Sequence, residues 1–159
     1  MALRKPLVVI DGQVQQMSAG DTLDAAVQEK DMFVLTNGES GAIVIGTPVY
    51  VSAASTCKKA QANASGTTEV IGLVATSSVS AAATGSIQSD GVLVATVAQW
   101  GDVGVAGGLA FNAQYYLDPT AAGKITATAP TTGGQYIAPI GRALSTTDLE
   151  ITIGATILL

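Results

Sequence analysis

The residues able to do chemistry in this 159-residue chain are few and scattered. The single cysteine, Cys57, is followed by Lys58 and Lys59. Neighbouring ammonium groups favour a thiolate, but a nucleophile also needs a partner base, and the chain has no histidine. The simpler expectation is a small residue on a strand edge. One thiol cannot form an intrachain disulfide, so the chain is not a stapled secreted scaffold. Carboxylates come singly or in loose groups: Asp21 with Asp24, Glu29 with Asp31, Asp148 with Glu150. The last pair alternates along a predicted strand and shares a face, an arrangement that can bind a cation, though a solvated strand face is the plainer reading. Serines are plentiful, yet none sits in a Gly-x-Ser-x-Gly elbow and no spacing suggests a Ser–Lys pair. Gly101-Asp-Val-Gly104 and Gly107-Gly108 lack the Gly-Lys-Ser/Thr ending of a phosphate cradle. We expect no catalytic residue, no metal site and no cofactor.

Composition points the same way. Seven basic residues against twelve acidic ones give a net charge of −5, the wrong sign for a protein that must displace counterions from nucleic-acid phosphates. Ala, Gly, Thr and Ser make up 73 of the 159 positions, while Val, Ile, Leu and Phe supply 41, enough apolar area for a packed domain rather than a disordered chain. Only 4% of residues are aromatic, with Trp100 the sole tryptophan, so a multi-ring sugar platform is poorly supported; Trp100, Phe111 and Phe33 read as core or interface packing. The opening apolar run Leu7-Val-Val-Ile10 stops at Asp11-Gly12, short of a signal-peptide core. No stretch of about 18 apolar residues occurs, so no membrane span is expected, and synthesis in a cytoplasm is the default.

The elements that would carry these residues follow period two. Leu7–Ile10 and Gln13–Gln16 flank Asp11-Gly12, a two-residue hairpin signal. Thr22–Lys30 is the one stretch read as possibly helical. Predicted strands then run Met32–Thr36, Ala42–Ile45, Pro48–Ser52, Lys58–Ala62, Glu69–Ala75, Val92–Val97, Ala113–Leu117, Lys124–Thr128, Tyr136–Ala143 and Leu149–Ile153, with Ser77–Gly85 as a loop. The fold class is all-β, an antiparallel β-sandwich or barrel with an extended N-terminal arm. Residues 1–30 form the arm and 31–159 the β-domain.

Within that domain the sequence repeats itself over 46–75 and 112–144. Gly46-Thr-Pro-Val-Tyr50-Val51 matches Asn112-Ala-Gln-Tyr-Tyr116-Leu117, which sets Lys58 opposite Lys124. Farther on, Ile71-Gly72 matches Ile140-Gly141. A glycine inside a strand marks a bulge or a close approach of another backbone, and a tyrosine at a strand start can bury its ring and keep its hydroxyl wet.

Both ends of the chain are apolar. Leu7, Val8, Val9 and Ile10 cannot be buried by so short an arm, and Ile157, Leu158 and Leu159 close the sequence. Such ends fit contacts with other subunits.

Residues 3–24, from Leu3-Arg-Lys-Pro through Asp11-Gly12 to Ala19-Gly-Asp-Thr-Leu-Asp24, resemble a segment that opens many structural proteins of tailed-bacteriophage virions. The two Tyr…Ile-Gly units resemble the Gly- and Ala-rich β-domains of capsid decoration (cement) proteins and head fibres. The resemblance implies a non-enzymatic protein that binds and stabilises the virion shell. It also implies a homotrimer on the capsid surface, with the major capsid protein as partner and no nucleic acid or membrane contact. Leu7, Val8, Val9 and Ile10 would anchor it, for instance by strand addition, and Ile157, Leu158 and Leu159 would meet a neighbouring subunit. The alternative is a tail-fibre or adhesin module that recognises a host surface through Ser77–Gly85 or Trp100–Gly108; a hydrolase with an unusual Ser/Lys or carboxylate site is a distant third.

Overall fold

The structure, a computed structural model, describes residues 31–159 and, before them, only the backbone strands β1 (Leu7–Ile10) and β2 (Gln13–Gln16). These two pair antiparallel, Leu7 opposite Gln16 and Ile10 opposite Gln13, as the Asp-Gly signal between them requires. The helix expected over Thr22–Lys30 and the side chains of Leu7, Val8, Val9 and Ile10 lie outside the described residues.

The rest is nearly all β. In chain order come β3 (Met32–Asn37), β4 (Ile43–Val44), β5 (Pro48–Ala53), β6 (Thr56–Lys59), β7 (Gly72–Val74), β8 (Ser78–Val79) and β9 (Thr84–Gln88). After β10 (Gly91–Val94) the chain forms a short helix, α1 (Val97–Asp102). It ends with β11 (Gln114–Leu117), β12 (Ile125–Thr126), β13 (Tyr136–Ile137), β14 (Pro139–Ala143), β15 (Asp148–Ile151) and β16 (Ile157–Leu158).

Two five-stranded units carry the architecture. Strands β3, β6, β5, β7 and β9 close into a barrel, and β12, β11, β14, β15 and β10 form an open sheet. In both, the strand sequence and the neighbours are the same apart from one pairing. The barrel closes where β3 runs parallel to β6, Thr36 opposite Thr56 and Asn37 opposite Cys57. The antiparallel reading therefore needs correcting at that one seam.

The registers show how closely the units correspond. Val49 faces Gly72 in the barrel, and Tyr115 faces Gly141 in the sheet. Val74 faces Ile87, as Ala143 faces Leu149; Phe33 faces Ile87, as Leu93 faces Leu149. Each glycine is a place of close backbone approach: a Cβ on Gly72 would lie 2.6 Å from the Gln88 carbonyl oxygen, and one on Gly141 would collide with that of Glu150. Gln88 and Glu150 are themselves corresponding positions, so the Ile-Gly match reports a shared packing requirement. The hairpins differ. Tyr50 faces Lys58, but Tyr116 faces Thr126, so Thr126, rather than Lys124, stands where Lys58 stands.

Counting from Phe33 and Leu93, Thr36 corresponds to Thr96. There the units part company: β3 continues through Thr36 and Asn37 to close the barrel, whereas the second chain segment turns into α1. A capping box starts the helix, with the Thr96 hydroxyl accepting from the Gln99 amide at 3.2 Å and the Gln99 side-chain oxygen accepting from the Thr96 amide at 2.8 Å. Thr96-x-x-Gln99 was the available sequence signal for this helix, which the period-two reading passed over inside a strand drawn to Val97.

The barrel interior holds Ile43, Val49, Cys57, Val74, Val79 and Ile87. The antiparallel pair β4 and β8 brings in Ile43 and Val79, so the segment Ser77–Gly85, expected to be a loop, supplies a strand and the start of β9. A second core joins the units: Trp100 from α1 and Tyr115, Leu117, Ile125, Leu149 and Ile151 from the sheet pack with Ile45, Ala60, Ala62 and Leu73 from the barrel side. Trp100 is fully buried, its ring lies where a Cβ on Gly46 (φ +81°) would sit, and its indole N–H donates to the Thr147 carbonyl at 2.8 Å. Tyr115 is buried to the tip, its hydroxyl accepting from the Ala110 amide at 2.9 Å.

Candidate interaction surfaces

Cys57 is 1% exposed and lies on β6 between β3 and β5, inside the barrel. It occupies a central strand, which corrects the expected strand edge. Burial, with a smaller contribution from the Glu39 carboxylate, pushes its thiol above the ordinary range despite an opposing backbone hydrogen bond. Of the two lysines that follow, strand alternation turns Lys58 to the opposite, exposed face.

Asp148 and Glu150 do share a face of β15, while Leu149 and Ile151 between and beyond them are buried. Asp148 accepts from the Thr147 hydroxyl at 2.8 Å, and Arg142, directly across from Glu150, donates to Asn112 at 2.9 Å. Among the described residues no cluster of three or more His, Cys, Asp or Glu is placed to hold a metal. Nor is any described helix long and apolar enough to cross a membrane.

Among the described residues, two surface clefts are of note. One, of about 330 Å³, lies between the barrel and the sheet and is lined by Thr47 and Lys59 from one and Asp102, Gly123 and Lys124 from the other. The Lys124 ammonium donates to the Asp102 carbonyl, and the Lys59 amide donates to the Glu39 carboxylate at 2.9 Å. No serine lines it, so it does not assemble a Ser–Lys pair. The other, of about 300 Å³, is rich in hydroxyls: Thr120, Thr126, Thr128, Thr131 and Thr132 surround it with Asp118 and Gln135. Partial burial opposes ionisation of Asp118, but the Thr120 hydroxyl and the amides of Thr120 and Ala121 outweigh it and hold the carboxyl below its usual range.

The more distinctive surface is apolar. Phe111 is 78% exposed, Val34 62% and Val94 58%. Ile157, Leu158 and Leu159 are also exposed. Among the described residues strand β16 pairs only with β13, Ile157 opposite Ile137 and Leu158 opposite Tyr136. The segments named for surface recognition are mostly exposed as well; only Val79 and Gly85 are buried in one, and Trp100 and Val103 in the other. The exposed Val34 and Val94 went unrecognised in the sequence, although their repeat relationship was there to find once β9 was placed. No protein-family model matches this chain, and no curated protein or solved structure is significantly similar to it.

Proposed function

We propose that this protein is a structural component of a tailed-bacteriophage virion. In this reading it is a decoration (cement) or head-fibre protein that self-associates, as a homotrimer, and stabilises the shell by binding the major capsid protein. Residues 1–30 are the attachment arm, with Leu7, Val8, Val9 and Ile10 as its anchor. The β-body carries the contacts among copies, Ile157, Leu158 and Leu159 among them. Two supports meet here: the resemblance of residues 3–24 to virion proteins, and an all-β body that leaves large apolar side chains uncovered. The second carries the assembly part, since Phe111, Val34, Val94 and Leu158 all stand more than half exposed on a chain with a well-filled core. A trimer multiplies modest contacts per chain by effective concentration.

Labelling the protein in intact virions tests this directly. Signal over the whole head at hundreds of copies supports decoration. Signal at the tail tip at a handful of copies supports the adhesin reading, which the hydroxyl-rich cleft beside Asp118 favours. Deleting residues 1–20 should leave a soluble, folded oligomer that no longer binds capsids; retained binding would remove the arm from the account.

A further inference from the structure

We propose that copies of this chain join through two open strand edges, the outer edge of β3 in one copy lying against the outer edge of β10 in the next. This deepens the self-association part of the reading above, and it is testable with no virion present.

Backbone direction defines the edges. The Asp31 carbonyl accepts from the Ser89 amide at 2.9 Å and the Asn37 amide donates to the Ala83 carbonyl at 2.8 Å. Odd-numbered residues of β3 therefore face β9, and Met32 and Val34 turn their N–H and C=O groups outward. On that outer side β6 reaches only as far as Thr36, whose amide donates to the Ser55 carbonyl. Strand β10 repeats the arrangement. The Ala95 amide donates to the Thr147 carbonyl at 3.0 Å, so odd residues face β15, and Val92 and Val94 point away at the margin of the sheet. Among the described residues nothing pairs with Met32, Val34, Val92 or Val94 on that outward side.

Edge strands are ordinarily kept from pairing by a lysine, a proline or a bulge. Met32–Leu35 and Gly91–Val94 contain no charge and no proline, and their ladders run without a register shift. Met32, Val34 and Val94 are exposed. Because Val34 and Val94 are corresponding positions, the two edges match in length and in the spacing of their free backbone groups. A specific interface buries roughly 1,200–2,000 Å² in total, more than one edge this short can supply. A head-to-tail ring in which every copy uses both edges doubles the contact and leaves neither edge open.

The competing occupant is the chain's own β1–β2 hairpin, since residues 17–30 that separate it from Asp31 can span about 45–50 Å when extended. The experiment therefore uses the full chain, the chain lacking residues 1–30, and edge variants. Light scattering should find the full and truncated chains oligomeric, and Val34→Lys and Val94→Lys each monomeric with an unchanged β-type circular dichroism spectrum. Co-expressed Val34→Cys and Val94→Cys chains, mildly oxidised, should yield several-fold more cross-linked dimer than either variant alone; this readout holds even if the lysine variants fail to fold, and Cys57 is buried. The proposal is overturned by a monomeric full chain, or by cross-linking of either cysteine variant with itself as efficiently as the mixture. It also fails if the mixture does not cross-link while the truncation is monomeric, which would make the hairpin the occupant. Any of these outcomes leaves head labelling of the virion free to succeed or fail separately.

Discussion

The barrel and the open sheet are built from one plan, and what separates them is the fate of two residues. At Thr36-Asn37 the chain stays extended and pairs with β6; at the corresponding Thr96-Val97 it caps and enters α1. Closure gives the barrel its own small core. Failure to close leaves the sheet's interior to be sealed by Trp100 and by barrel residues such as Leu73 and Ala60. One strand plan thus yields two non-equivalent halves, one with a core of its own and one whose core is shared with its neighbour.

Removing the seal should have the largest effect. Trp100→Ala takes away a fully buried ring and the hydrogen bond to Thr147, an expected loss of about 3–5 kcal/mol by urea denaturation; a much smaller loss would mean that the sheet does not lean on this residue. Next come the paired glycines. Gly72→Ala and Gly141→Ala each drive a Cβ into a backbone carbonyl, at a cost of about 1–3 kcal/mol, with Gly141 the more costly because its approach is closer. Equal tolerance at both sites would break the correspondence between the units. Thr96→Ala removes the helix cap and should cost about 1 kcal/mol, and it tests whether the cap alone keeps β10 from continuing toward β12. The smallest effect is at acid pH. The folded state holds Asp118 below its usual range, so its contribution is present above about pH 4 and lost as pH falls through the lowered value. An Asp118→Asn variant should flatten that limb of the stability profile.

How much of this was legible in the sequence depended on how local the cause was. Gly72 and Gly141 were found because a close backbone approach excludes every side chain, and Asp11-Gly12 because a tight turn needs a particular residue pair. Strand β9 was hidden: Thr84-Gly-Ser-Ile87 is weakly apolar, and its strand form comes from pairing with β3 and β7 on both sides. The parallel seam and the interior place of Cys57 are equally non-local, for nothing near Thr56-Cys57 announces a partner twenty residues upstream. Helix α1 was legible and missed, because alternation in Val92–Val97 outweighed a four-residue capping signal. The apolar character of Ile157–Leu159 was plain from the sequence, whereas the edges at Val34 and Val94 needed the register.

The proposed self-association rests on two apolar strand edges and the exposed apolar strand β16 of one chain. The mass of the purified full-length chain in dilute buffer, measured by light scattering, tests this most directly. We predict three chain masses, persisting on dilution. A single chain mass at every concentration, with the β-fold intact, would contradict it.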